Sequence, residues 1–228
     1  MNNVRGKTMI TLILADAEME LIPENLLTEV DVLRDAKRRN KSPKNMLLEA
    51  SMHHHAIKKE YPNEVERRGR PDIVFQFMLL NLDSVLNYEH KISIYVHTRN
   101  DDIIYINPKM RPPKNYNRFL GLMESLFQNK VLPDKQDPLL EMEKGTLKEL
   151  INKIKNKKKV IVLSPNGTSA NIKRKLFEEG DVIIIGGFSS GDYKSDVKDL
   201  GTKLSIYPQE LTVWGVLLLL HSNIYQWA

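Results

Sequence analysis

The last third of the chain alternates short aliphatic runs with polar, glycine-bearing segments, and this alternation limits the possible folds more than any other feature. VIVL (160–163), DVIII (181–185) and LSIY (204–207) are rich in β-branched and aliphatic residues. Runs of that length and composition read as strands, and the first two are apolar enough to be covered on both faces. Residues 170–178 between them read as a helix, and an apolar helix begins at about Gln209. Strands alternating with helices predict an α/β fold with a largely parallel sheet. TMITLIL (8–14) near the start of the chain adds one more buried strand.

The middle of the chain is mixed. Residues 43–61 read as helix, ended by Pro62. Pro71 opens an apolar helix through DIVFQFMLLNLDSVLNY (72–88), since proline fits the first helical turn. Strands follow at 91–97 and 102–106, with a hairpin loop at 98–101. A helix is expected over 116–129 and a connecting segment over 130–144. From Gly145 an amphipathic helix puts Leu147, Leu150, Ile151 and Ile154 on one face, with Glu149 four residues before Lys153. The lysines at 155–159 suit the carboxyl end of that helix.

The 228 residues include 41% hydrophobic and 28% charged residues, which is enough apolar matter for a full core. There is no cysteine, which excludes disulfide scaffolds, thiolate metal sites and cysteine nucleophiles. The apolar runs at 9–14 and 213–220 are too short to cross a bilayer, so no membrane segment or secretory leader is expected. His53, His54 and His55 are consecutive, and successive helical side chains diverge by about 100°. They read as an exposed polar face, and no metal site is expected. HExxH, P-loop, GxGxxG-helix and kinase patterns are absent.

Two groups of residues carry possible chemistry. Gly186, Gly187 and Gly191 follow the DVIII strand, where glycine lets the backbone come close to a ligand or simply make a tight turn. Arg111, Lys114 and Arg118, with Arg99, Lys109 and Tyr116 nearby, form a cationic cluster stiffened by two prolines. Such a cluster suits phosphates and stacked bases, or is a solvated basic loop. In ERRGRPDI, Asp72 either caps a helix or fixes Arg70 through a paired contact. The net charge of +5 bears on function only through local clusters of this kind.

GRPDIVFQFMLLNLDS, ISIYVHTRN, INPKMRPPKNYNRFLGLME, DVIIIGGFSSG and LSIYPQELTVWGV occur in that order. Together they resemble the ribosome-biogenesis pseudouridine-N(1)-methyltransferases, the Nep or Emg family. The resemblance covers most of the chain and is thinnest at 25–66 and 130–145. It implies a SPOUT-type α/β fold with a C-terminal trefoil knot, one domain over residues 1–228, an insertion at about 25–66 and a cofactor-binding knot region at about 160–228. It also implies a homodimer, S-adenosylmethionine as cofactor and small-subunit ribosomal RNA as partner.

By the same resemblance, the cofactor site falls on Leu163, Gly186, Gly191, Asp192, Tyr193, Leu204, Ser205, Ile206, Tyr207, Pro208 and Gln209. RNA contacts fall on Arg70, Arg111, Lys114 and Arg118, with Arg70 catalytic and oriented by Asp72. Where the family has Arg-x-Pro-Arg, this chain has Arg111-Pro112-Pro113-Lys114, which keeps the charge but not the planar fork. The implied reaction is methylation of N(1) of a pseudouridine, in the context of small-subunit biogenesis. The alternatives are a SPOUT methyltransferase for another nucleotide and a mainly non-catalytic pre-rRNA-binding assembly factor. Abundant lysine and isoleucine without cysteine suit a cytoplasmic, thermophilic archaeal protein.

Overall fold

The computed structural model describes residues 9–226. Thr8, where the first strand was expected to begin, lies outside them. In chain order the elements are β1 (Ile10–Ala17), α1 (Val30–Arg39), α2 (Ala50–Glu60), α3 (Pro71–Leu82), α4 (Val85–Tyr88), β2 (Ile92–Thr98), β3 (Asp102–Ile106) and α5 (Tyr116–Asn129). Then come β4 (Val131–Leu132), β5 (Leu140–Lys144), α6 (Leu147–Lys153), β6 (Val160–Ser169), β7 (Val182–Gly186), β8 (Thr202–Ser205) and α7 (Val213–Gln226).

All eight strands join one sheet in the order β4-β5-β3-β2-β1-β7-β6-β8. From β2 to β8 every pairing is parallel, and β3, β5 and β4 add an antiparallel wing. β1 lies inside the parallel half and is buried along its whole length. Its side chains alternate between faces, as the two-residue repeat of a strand requires. Leu12 and Leu14 join the core built with α3, α5 and α7, while Ile13 and Ala15 join the opposite core with α6. A third, small core (Leu26, Val32, Met46, Leu48, Ile57) holds α1 and α2 together.

Several elements depart from the sequence-based expectation. Residues 170–178 form a single turn and otherwise irregular chain, not a helix. Asn223 of α7 takes over their backbone: it accepts from Leu176 N at 3.2 Å and donates to Ile172 O and Arg174 O, both at 2.8 Å. A buried amide that satisfies three backbone groups replaces the ladder a helix would have made. β6 runs on past Leu163, with a register break against β8 between Leu163 and Thr168 that accommodates Pro165. The segment at 130–144 is not a plain connection but carries β4 and β5. In β5, Leu140 and Met142 are buried and Glu141 and Glu143 exposed, so charged outward positions hid a strand.

The expected helices are also shorter. Residues 43–45 form a single 3-10 turn before α2. Ser84 accepts from Asn87 N and separates α4 from α3. α6 ends at Lys153, and Glu149 closes a capping box with Thr146 and makes no pair with Lys153, which pairs with Glu143. α7 starts at Val213, which leaves Tyr207–Thr212 as loop. His53 departs too: it is fully buried, not on an exposed face, and its Nδ1 accepts from Glu49 N at 3.1 Å. Burial lowers its pKa, so it sits in the core as a neutral ring.

Candidate functional site

In a parallel sheet the carboxyl ends of the strands open on the same side, and the loops that leave them form a crevice. Here the loops after β7 and β8, together with Leu163 in β6, enclose a cavity of about 390 Å³. Every residue expected at a cofactor site lines it except Pro208, which is exposed beside it. The apolar wall includes Ile73, Ile185, Phe188 and Trp214, none of which the sequence reading named. Trp214 is hard to find in a sequence because it sits at the start of an apolar run that reads as ordinary core.

The loop from Gly186 to Ser195 is fixed along its length. Gly187 N donates to Ala15 O at 2.7 Å, and Glu18 N donates to Gly187 O at 3.1 Å. A Cβ on Gly187 would stand 2.6 Å from Ala17 Cα, so only glycine fits this approach. Gly191 has φ +82°, a backbone state that side chains disfavour. Tyr193 sends its hydroxyl back to Leu163 O at 2.8 Å and Ile184 O at 3.3 Å, tying β6 and β7 beneath the cavity. Burial, and then the nearby Asp16 and Asp192 carboxylates, push its pKa up, so the phenol stays protonated as a donor.

Asp16, which the sequence reading passed over, anchors the far end of the loop. Its carboxylate accepts from Lys194 N at 2.7 Å, Ser195 N at 3.0 Å and Ser195 Oγ at 2.6 Å. Its own φ is +52°, uncommon for a residue other than glycine, and this backbone state aims the side chain beneath the loop. The only sequence signal was an acidic residue at the carboxyl end of a buried strand.

Arg70 lines the same cavity from its rim. Its Nε and second terminal nitrogen donate to the two oxygens of Asp72 at 2.8 and 2.7 Å, a fork-to-fork pair. The bonds to Asp72 raise the Arg70 pKa and outweigh its partial burial. Arg70 N also donates to Glu18 O at 2.7 Å. Of the two readings of Asp72, the side chain adopts the one that fixes Arg70.

Arg111, Lys114 and Arg118 do not line the cavity. They stand exposed on the segment that enters α5. The Arg111 guanidinium lies 5.2 Å from the centre of the Tyr88 ring, and Lys114 is 3.7 Å from Asp83. Between Lys114 and Arg118, Tyr116 turns inward, with its ring 5.5 Å from Phe75 in α3. Arg99, grouped with these cations by sequence proximity, is elsewhere. It is buried and bonded to Glu18 and Glu64, because the hairpin after β2 turns it inward.

Among the described residues no group of His, Cys, Asp or Glu gathers to hold a metal ion. No described helix is long and apolar enough to cross a membrane.

Comparison with known proteins adds a lineage to this geometry. Residues 12–224 match the EMG1/NEP1 methyltransferase family. The chain is 45% identical to the ribosomal RNA small subunit methyltransferase Nep1 of Thermococcus sibiricus, over 91% of this chain and 94% of that one. It is 44% identical to the Nep1 of Pyrococcus furiosus, over 92% and 93% of the two chains. The crystal structure of Archaeoglobus fulgidus Nep1 bound to S-adenosylhomocysteine superposes with a TM-score of 0.81 at 34% identity, over 96% of this chain and 99% of that one. The chain therefore belongs to the EMG1/NEP1 methyltransferase family.

Proposed function

We propose that this protein transfers a methyl group from S-adenosylmethionine to N(1) of a pseudouridine in small-subunit ribosomal RNA. The observation that carries the reading is one cavity, at the carboxyl ends of parallel strands, with a carboxylate-fixed arginine on its rim. The relatives are named ribosomal RNA small subunit methyltransferases, and the superposed neighbour is described as bound to S-adenosylhomocysteine. The cavity volume falls within the roughly 300–1,000 Å³ of small-molecule sites. Its walls fit the cofactor: an apolar side at Leu163, Ile185 and Trp214, and the main chain of the Gly186–Tyr193 loop and of Leu204–Gln209. When bound, S-adenosylmethionine supplies a sulfonium-activated methyl group.

The chain's own residues then bind, orient and balance charge. Gly187 and Gly191 keep the loop main chain close to the cavity. Arg70, held rigid by Asp72, orients the target nucleotide and stabilises the negative charge that grows on the ring as the N(1) proton passes to solvent. Arg111, Lys114 and Arg118 take backbone phosphates, which hold the RNA in register without reading its sequence. The target ring has to enter the cavity, so the nucleotide turns out of any stack it occupies to reach it.

The reading includes a homodimer and a knot. α7 exposes Trp214, Leu218 and Tyr225, spaced so that they fall on one helix face. Trp214 also lines the cavity, so that face is continuous with the site. The chain leaves β6, returns inside it as β7, and crosses to the sheet edge as β8, the reversal a trefoil path uses. The same reading extends to a role in small-subunit assembly in an archaeal cytoplasm.

The test is transfer of labelled methyl to two RNA hairpins that differ only in a pseudouridine or a uridine at one position. Transfer to the pseudouridine hairpin alone is expected. Equal transfer to both would move the target to another nucleotide, and tight RNA binding with no transfer would make the protein an assembly factor.

A further inference from the structure

We infer that Arg67 is a positioning residue that shapes the cofactor loop, an inference that rests on the reading of the cavity as the methyl-donor site. Arg67 does not line the cavity. Its side chain lies behind the loop and is mostly buried. One terminal nitrogen donates to Asp192 O at 2.6 Å and approaches Ser190 O at 3.5 Å. The guanidinium carbon lies 4.2 Å from the centre of the Phe188 ring, which lines the cavity on its other side. Nε donates to Glu18, a carboxylate with no solvent exposure that also receives Arg99.

The sequence here, Phe188-Ser189-Ser190-Gly191-Asp192, has little stiffness of its own. Arg67 supplies it from outside. A carbonyl held on one side of a trans peptide sends the following N–H to the opposite side. Bonds to Ser190 O and Asp192 O therefore turn the N–H groups of Gly191 and Tyr193 away from Arg67. Neighbours of Arg67 tighten the same grip. Ser189 Oγ donates to Glu66 O, and Lys194 Nζ lies 3.0 Å from Glu64. Burial would raise the Glu64 carboxyl, but its bonds from Lys194 and Arg99 outweigh this and bring its pKa down to about 2. One short segment, Glu64 to Arg67, thus holds the loop at several points. It does so three residues before Arg70, which rests on the Asp72 carboxylate and on the main-chain oxygen of Glu18, whereas Arg67 uses the Glu18 carboxylate.

The experiment titrates S-adenosylhomocysteine into wild type, Arg67→Ala and Arg67→Lys by calorimetry. RNA-hairpin affinity is measured without cofactor, and amide hydrogen exchange is followed in the free proteins. Arg67→Ala is expected to lose cofactor affinity about tenfold or more, the weight of charge-assisted hydrogen bonds. Arg67→Lys keeps the charge that Glu18 needs but lacks the fork, so it should fold as wild type and still lose affinity severalfold. Exchange should quicken over 187–194 but not in β1 or β7, and RNA affinity should hold. If Arg67→Ala does not fold, Arg67→Lys decides. Wild-type cofactor affinity and loop exchange in Arg67→Lys would overturn the inference, as would RNA affinity falling in parallel with cofactor affinity. Failure of wild type itself to bind S-adenosylhomocysteine would instead sink the reading of the cavity.

Discussion

Arg67, Arg68, Arg70 and Arg99 are held by carboxylates, whereas Arg111 and Arg118 make no ion pair among the described residues. In the first group Arg70 lines the cavity and Arg67 bonds its loop, while Arg68 and Arg99 pair with Glu20, Glu18 and Glu64; the second stands on the rim before and within α5. A guanidinium that is already paired shapes the protein around it, since its donors are committed before any ligand arrives. A guanidinium in solvent keeps its donors for phosphate, and its contribution falls as salt rises. The two groups should therefore fail differently when mutated: the held arginines through chemistry and loop shape, the free ones through RNA affinity alone.

The largest effect is expected at Arg70, the one of the held arginines that itself lines the cavity. Arg70→Ala should lower the rate of methyl transfer by roughly 10²–10³-fold, the usual weight of a fixed charge-stabilising donor. Cofactor affinity should stay near wild type; if it collapsed, Arg70 would belong to the cofactor pocket. Next comes the rim. Replacing both Arg111 and Arg118 by alanine should weaken RNA binding and flatten its salt dependence by about 0.7 in log–log slope per lost cation. An unchanged slope would remove them from the RNA surface and erase the contrast.

A smaller effect tests the scaffold beneath both groups. Tyr193→Phe removes a buried donor to Leu163 O and Ile184 O and should cost about 1 kcal/mol of stability by denaturant melt. The smallest effect is a pH dependence at α7. His221, with Nε2 2.8 Å from Asn81 Oδ1, has its pKa lowered to about 4 by burial. Between about pH 6.5 and 4 the unfolded chain holds this proton and the folded chain does not. Stability should fall as the pH is lowered through that window, and the His221→Gln protein should show a shallower fall.

The sheet was legible in the sequence because its strands are apolar on both faces. The runs at 102–106 and 116–129 matched β3 and α5 to the residue. β5 was not legible, since a strand with glutamates on its outward face mimics a polar linker. Residues 170–178 misled in the other direction: their composition fits a helix, and only the distant Asn223 shows how the backbone is satisfied without one. The residues expected to hold a cofactor came from a family resemblance, and the structure gathers all but Pro208 around one cavity. Arg99 was misplaced because closeness in sequence says nothing of which way a hairpin turns its side chains. The supports of the loop, Asp16, Glu18 and Arg67, are charged residues whose work depends on contacts across up to 179 positions, and no local pattern marks them.

The central claim is that the cavity beside Arg70 holds the methyl donor. A crystal structure of this protein grown with S-adenosylhomocysteine tests it most directly. Ligand density between the Gly186–Tyr193 loop and the Leu204–Thr212 segment, with its sulfur facing the side where Arg70 stands, is the predicted result. Density elsewhere, or a cavity closed by Phe188 and Trp214 with the ligand excluded, would contradict it.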